Sequence, residues 1–231
     1  MSNGLQSDFQ TRTRQVRHYL SILVAIERIT PLGRATRTQE GRLLTARAGV
    51  FLVLYNLVEA TTRNTIEAIH DRIATETVPF EELSASLRRE AMKRFRTRLD
   101  PEAHYGATDL ARAFVGIALE GGISLSGNVD ARHIRELAEV YGFSHSAPSH
   151  TWGGSDLVTV KNNRNNLAHG RVTFEDVGRD YGIEQIRGLS LRTLGYMRAI
   201  LGNVTQFLDE RRYLHTEPRP ASQGPARLLD V

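Results

Sequence analysis

The chain has 231 residues, 40% of them hydrophobic, which is enough to bury the core of one large domain or two small ones. It has no cysteine, which excludes disulfides and thiolate metal sites and agrees with a cytoplasmic location. The formal net charge is +4, and every basic residue except Lys93 and Lys161 is arginine. This composition either favours an anionic partner or reflects a coding bias toward arginine.

The first residues lack the basic stretch and apolar run of a secretory signal. No run of about 18 uninterrupted apolar residues predicts a membrane span, so no membrane partner is expected. Residues 1–10 are polar and are predicted to form a flexible N-terminus.

Apolar residues recur at helical spacing along most of the chain. A first amphipathic helix is predicted over residues 11–29, and a second, the most strongly patterned, over residues 43–75. Residues 34–42 between them are interpreted as a loop or a frayed helix start. Further helices are predicted over residues 80–99, 108–119, 131–141, 155–167 and 183–212. No segment alternates convincingly enough for a strand, so the predicted fold class is all-α.

Turn and capping residues define the domain boundaries. Ser155 is a predicted N-cap, Gly142 and Gly170 are predicted helix stops, and residues 173–176 resemble a capped turn. We predict one helical domain over residues 11–213, with 80–150 as a candidate helical insertion. Residues 214–231 contain three of the seven prolines and are predicted to be a disordered tail.

The densest polar chemistry lies in residues 161–170, Lys-Asn-Asn-Arg-Asn-Asn-Leu-Ala-His-Gly. Phosphodiester transesterification needs a proton carrier near neutral pH, which imidazole supplies, and cationic donors at the phosphate, which arginine supplies. Spacing alone is weak support, because Arg12/His18, Arg63/His70 and Arg98/His104 fall in the same range. An exposed helix end with a histidine near its C-terminal dipole is the simpler alternative.

Helical geometry constrains how the residues of this stretch can cooperate. Arg164 and His169 are five residues apart, about 140° around a helix, and therefore do not share a face. Asn165 and His169 are four apart and do share one. We predict that Asn165 orients the imidazole, while Arg164 either reaches round the helix or acts from the opposite protomer.

Two further polar features lie outside this stretch. Glu59 and Arg63 are four apart on the second predicted helix, so they form either an ordinary ion pair or part of a cleft. The basic end of the third predicted helix is either a solvated face or an RNA-tracking surface. His145 and His150 lie in a predicted loop without further metal ligands close by in the sequence.

Three stretches together resemble the HEPN superfamily, in particular a nuclease subfamily from prokaryotic defence and toxin-type loci. Arg164, Asn165 and His169 match its motif of an arginine, a polar residue and a later histidine. Residues 55–64 resemble its second helix, and residues 174–181 resemble the segment after its motif. The resemblance runs from about residue 12 to 212 and is least secure over 80–150.

The resemblance implies a HEPN-like helical bundle that dimerises, with a composite site at the shared interface. It implies metal-independent RNA cleavage, without a cofactor, in which the substrate's 2′-hydroxyl attacks the phosphate and leaves a 2′,3′-cyclic phosphate. His169 is then the general acid/base, Arg164 the phosphate clamp and Asn165 the orienting residue, while Glu59, Arg63 and Lys161 contact the substrate. A toxin or antiviral role with an antitoxin or defence-complex partner is expected.

Two alternatives remain open at this point. The domain is either a non-catalytic module that binds RNA, nucleotide or protein, or a structural dimerisation bundle within a defence complex. Salt-dependent RNA binding without cleavage would indicate the first.

Overall fold

The fold is built around one long helix, which passes through the core. The structure is a computed structural model that describes residues 2–30, 35–98, 114–116, 118–119, 125 and 127–215. The first helix, α1, spans Ser2–Ile29, and the long helix, α2, spans Arg37–Thr75. α2 carries nineteen buried residues and packs against α1 and against three later helices.

The first two helices begin earlier than the sequence predicted. α1 starts at Ser2 instead of near residue 11, because Phe9 is 4% exposed and Asp8 accepts hydrogen bonds from Arg12 and Asn64. The predicted flexible N-terminus is therefore helical from its second residue. α2 starts at Arg37 because Thr36 and Gln39 form a capping box. Of the two interpretations of residues 34–42, a loop or a helix start, the second therefore holds from Arg37 onward.

The helix predicted over residues 80–99 is divided in two. A 3₁₀ turn spans Phe80–Glu82, and α3 spans Ala85–Arg98. The division occurs where residues 213–215 pair with residues 82–84. The Ser84 N–H donates to the Tyr213 carbonyl, and the His215 N–H donates to the Glu82 carbonyl. The predicted tail is thus anchored at its first two residues, and the rest of it lies outside the described residues.

α4 spans Ala131–Tyr141 and ends, as predicted, at Gly142 in the left-handed region (φ 89°). Of the short helix predicted over residues 108–119, only 114–116 and 118–119 are described, and they are helical. The remaining part of that prediction lies outside the described residues.

Three helices complete the bundle. A 3₁₀ segment spans Ser149–Gly154, α5 spans Asp156–Ala168, α6 spans Phe174–Asp180 and α7 spans Ile183–Asp209. Thr173 and Asp176 form a capping box, so the predicted capped turn is the start of a two-turn helix. α7 packs against α1, α2, α5 and the 3₁₀ segment.

The predicted all-α class is confirmed. Among the described residues the only strand-like pairing is an isolated bridge between Leu83 and Leu214. α2 is also long and apolar enough for a membrane span by length and composition, but 61% of its most apolar window is buried inside the fold. That burial is typical of a core helix.

Gly178 sets how closely α6 approaches α2. A Cβ at this position would lie 2.0 Å from the Leu44 carbonyl oxygen, a backbone atom that cannot move aside as a side chain can. Residues 174–181, which resemble the segment after the family's motif, therefore include a glycine that the packing requires.

We predict that Gly178→Ala destabilises the fold by about 1–3 kcal/mol or more, because the added methyl group separates α6 from α2. Gly202→Ala is the matched control, since a Cβ at that helical position meets no atom within 4 Å. This control should gain about 0.5–1 kcal/mol from helix propensity. Urea unfolding of both variants measures the difference, and equal stabilities would contradict the packing account.

Candidate functional site

The motif stretch lies at the C-terminal end of α5, and this end is a Schellman motif. The Arg171 N–H donates to the Asn166 carbonyl at 2.9 Å, and the Gly170 N–H donates to the Leu167 carbonyl at 3.2 Å. Gly170 has a φ of 63°, which confirms it as the predicted helix stop. His169 is the C-cap residue, and its side chain is exposed at the point where the helix ends.

The start of α5 differs from the prediction in one detail. Ser155 occupies the N-cap position, but its side chain makes no capping hydrogen bond, because its backbone is already helical (φ −57°, ψ −31°). Instead, the Asp156 carboxylate accepts hydrogen bonds from Arg192 of α7, which fixes the N-terminal end of α5.

The guanidinium of Arg164 is held from three sides. Its Cζ lies 4.6 Å from the centre of the Tyr55 ring on α2, in cation–π geometry. Its Nη1 donates to the Asn165 carboxamide oxygen at 2.9 Å. Its Nη2 lies 3.9 Å from the Glu59 carboxylate. A Cβ on Gly127 (φ 70°) would lie 3.2 Å from Nη1, so a glycine leaves room for this position.

Glu59 links the two arginines of the site. It accepts a hydrogen bond from Arg63 at 2.8 Å and faces Arg164 at 3.9 Å. The predicted pair on the second helix is therefore formed, and the fold brings it to Arg164. Two guanidinium groups around one carboxylate leave a local excess of positive charge. The Arg164 side chain is 30% exposed and that of Arg63 38%, so both are open to an anion from solvent.

Tyr55 joins α2 to the turn that precedes α4. Tyr55 is 2% exposed, and its hydroxyl accepts a hydrogen bond from the Val129 N–H at 3.1 Å. Burial raises the pKa of the Tyr55 phenol, so it remains a neutral ring beneath the Arg164 cation. The turn at residues 127–130 is thereby fixed against the same helix that positions Glu59.

Lys161 is engaged in a structural contact. Its ammonium donates to the Asp130 carboxylate at 2.5 Å, and the other oxygen of Asp130 caps α4 by accepting the His133 N–H. Burial alone would raise the pKa of Asp130, but the hydrogen bonds from Lys161 and the α4 backbone outweigh it and lower the pKa. Lys161, predicted to contact substrate, thus ties α5 to α4 in the free chain.

No hydrogen bond joins the side chains of Asn165 and His169 in this structure. The Asn165 carboxamide accepts from Arg164 and donates to Asn128 at 3.1 Å, so both of its groups are in use. In the single chain Asn165 therefore orients Arg164, whereas the sequence predicted that it orients the imidazole. The His169 side chain is exposed and, among the described residues, has no hydrogen-bonding partner.

Three contributors to the site were missed by sequence reasoning. Tyr55 precedes Glu59 and Arg63 at four-residue intervals, so helical spacing alone places it on their face. Gly127 and Asn128 lie before α4, in a stretch whose sequence indicates only a turn. No local pattern relates that turn to Arg164, because their contact depends on how α4 and α5 pack.

The described residues contain no group of three or more His, Asp or Glu side chains arranged to hold a metal ion. The chemistry of the site is instead that of two arginines, one carboxylate, one carboxamide and a nearby free imidazole. Such a set suits a phosphate-bearing ligand, since guanidinium groups bind phosphate oxygens in pairs.

The all-α fold, with Arg164, Asn165 and His169 on one helix and its C-cap, agrees with what the resemblance to HEPN domains implies. The family described as MAE_28990-like HEPN matches the chain over residues 1–213, and the chain belongs to this family. HEPN domains include ribonucleases and nucleotide-binding modules. Neither a curated protein nor a solved structure matches the chain significantly.

We predict that Asp130→Asn lowers the free energy of unfolding at pH 7 by about 1–3 kcal/mol, because Lys161 loses its counter-charge. The folded-state pKa of Asp130 is lowered, so its contribution is present above the unfolded value of about 4 and is lost as pH falls through the folded value. Urea unfolding at neutral and acidic pH should show the variant and wild type converging in acid. Asp71→Asn, on the exposed part of α2, is the control. A variant deficit that does not shrink in acid would contradict the assignment.

Proposed function

We propose that the chain is a metal-independent endoribonuclease that cleaves RNA by transesterification at the 2′-hydroxyl. The observation that carries this proposal is the seated guanidinium of Arg164, a cation held against Tyr55 and Glu59 yet partly open to solvent. A preorganised cation of this kind stabilises the charge that builds on a phosphate during attack. Family membership supports the same chemistry.

In the proposed reaction, His169 accepts the proton of the 2′-hydroxyl as its oxygen attacks the phosphorus. The bond from phosphorus to the 5′-oxygen breaks, and an imidazolium returns a proton to that oxygen. The products are a 2′,3′-cyclic phosphate and a 5′-hydroxyl. Arg164 contacts the non-bridging oxygens, with Arg63 beside it. Asn165 keeps the Arg164 guanidinium in place through its 2.9 Å hydrogen bond.

We propose further that the active species is a homodimer. Arg164 is seated toward α2, whereas His169 is exposed at the helix end, about 140° away around α5. A two-fold axis would set the histidine of one protomer opposite the arginine of its partner. Val158, 42% exposed, lies on the same face of α5 as His169 and supplies apolar surface for such a contact.

The exposed face of α3 supports a polyanionic substrate. Its residues surround an open groove of about 810 Å³, and four of them are cationic: Arg88, Arg89, Lys93 and Arg96. Within the described part of the chain, none of these four forms an ion pair. Unpaired cations along one helix face attract a phosphate backbone without sequence preference.

A binding module without catalysis is the second candidate function, and it is favoured by the difference between a fixed Arg164 and an unconstrained His169. Arg164 is held by Tyr55, Asn165 and Glu59, whereas the His169 side chain makes no hydrogen bond or ion pair within the described residues. The same arrangement would bind an RNA phosphate without moving a proton. Binding of RNA without cleavage products would select this candidate.

The biological setting that we propose is a cytoplasmic toxin or antiviral effector, with an antitoxin or a defence complex as partner. The resemblance of residues 55–64 and 174–181 to nucleases of such loci supports this setting. The absence of cysteine is in keeping with a reducing compartment.

We predict that His169→Ala lowers the rate of RNA cleavage by about 100- to 10,000-fold, the usual contribution of a general acid/base, while the urea midpoint stays unchanged. His145→Ala, another exposed histidine, is the matched control and should retain wild-type activity. Gel analysis of cleavage of total RNA measures both. Undiminished cleavage by the His169 variant would refute its role.

We predict that Arg164→Ala and His169→Ala proteins, each inactive alone, recover activity when mixed. In a mixed dimer one of the two composite sites keeps both residues, so about a quarter of wild-type activity is expected after random exchange of protomers. The control is each variant mixed with itself at the same total concentration. No recovery, despite proven exchange, would mean that each site lies within one protomer.

A further inference from the structure

The only tryptophan of the chain occupies an unusual place. Trp152 is 59% exposed and lies in the 3₁₀ segment directly before α5. Its backbone is left-handed (φ 52°, ψ 36°), a conformation that bulky side chains rarely adopt. Strained residues of this kind concentrate at binding sites when the surrounding structure enforces them.

The surrounding structure does enforce this conformation. Gly154 follows with a φ of 78°, and a Cβ there would lie 2.8 Å from the Tyr196 ring of α7. Thr151 is fully buried, and its hydroxyl donates to the Pro148 carbonyl at 2.7 Å. A Cβ on Gly195 of α7 would lie 3.2 Å from the Thr151 methyl group, so the segment packs against α7 on both sides of Trp152 and leaves the indole exposed.

Arg192 covers one face of the indole. Its Cζ lies 3.7 Å from the ring centre, and its Nε and Nη2 donate to the Asp156 carboxylate. Because one face is covered and more than half of the residue is still exposed, the open surface includes the opposite face. Nη1 of Arg192 has no acceptor among the described residues, so it remains available to an anion.

We propose that Trp152, backed by Arg192, is a stacking platform for a nucleobase of single-stranded RNA, a few nucleotides away from the phosphate bound at Arg164. A planar ring open on one face accepts any base by stacking, and the neighbouring Nη1 donor suits the phosphate of the same nucleotide. This proposal rests on the proposed ribonuclease function.

The distance along α5 between the platform and Arg164 matches the length of a short RNA strand. Asp156, which fixes Arg192, and Arg164 are eight residues apart on α5, so about 12 Å of helix axis separates them. That length corresponds to about three to four stacked nucleotides. A strand bound at Arg164 can therefore extend along α5 toward Trp152.

A protein partner is the competing occupant, because Leu191 beside Arg192 is 67% exposed. The cationic backing of the ring favours a nucleotide, since it pairs an aromatic face with a phosphate donor. Leu191→Ala separates the two possibilities, because an apolar contact between proteins would lose affinity and a base stack would not.

The test uses the tryptophan fluorescence of the full chain, which reports Trp152 alone because the chain has one tryptophan. A short 2′-O-methyl RNA oligonucleotide serves as the probe, since it lacks the attacking hydroxyl and stays intact. The fluorescence anisotropy of a dye on this oligonucleotide gives the affinity independently of the tryptophan signal. A sugar-phosphate oligomer of the same length without bases serves as the anionic control.

We expect the oligonucleotide to quench Trp152 fluorescence in step with binding and the abasic oligomer to leave it unquenched. Trp152→Ala should weaken binding by about 5- to 100-fold, whereas Trp152→Phe and Leu191→Ala should stay close to wild type. The three variants replace two exposed side chains, and equal urea midpoints verify that the variants are folded.

Three results would overturn the platform: no binding of the probe, binding without quenching, or unchanged affinity in Trp152→Ala. A fluorescence change that follows protein concentration, with self-association weakened by both Trp152→Ala and Leu191→Ala, would assign the surface to contacts between protein copies instead. If quenching and the Trp152→Ala effect occur but unmodified RNA is never cut, the ribonuclease proposal fails while the platform stands.

Discussion

The position of the Arg164 guanidinium against α2 is the constraint on which the candidate site depends. Tyr55 and Glu59 both come from the core helix, and the turn at Gly127 is fixed to the same helix by the hydrogen bond from Val129 to Tyr55. The burial that stabilises the bundle therefore also orients the cation. Its charge is placed before any ligand arrives, which avoids reorganisation during a reaction.

The two motif residues are positioned by different physical means. Packing holds Arg164 in one place, whereas a Schellman motif ends the helix and leaves His169 in solvent. A single chain therefore presents a fixed guanidinium and an unconstrained imidazole on separate faces of α5. In the homodimer that we propose, a second protomer covering the end of α5 would restrict this imidazole and place it opposite the guanidinium.

Local patterns predicted the features that local physics determines. The all-α class, the stop at Gly170 and the Glu59–Arg63 pair follow from periodicity, backbone conformation and four-residue spacing. Contacts between distant segments were not predictable. The pairing of Lys161 with Asp130 and the hydrogen bond from Asn165 to Asn128 both depend on how α5 meets α4 and the turn before it. The early start of α2 was readable, because Thr36 and Gln39 form a capping box.

The chemistry of the RNA ends is the most direct test of the central claim, because it depends on the bond that breaks and on no assumption about assembly. Wild-type protein is incubated with total RNA in EDTA, and the new termini are mapped. The account predicts undiminished cleavage that leaves 2′,3′-cyclic phosphates and 5′-hydroxyls, with both lost in His169→Ala. Termini with a 5′-phosphate and a 3′-hydroxyl, or activity that disappears in EDTA, would contradict it.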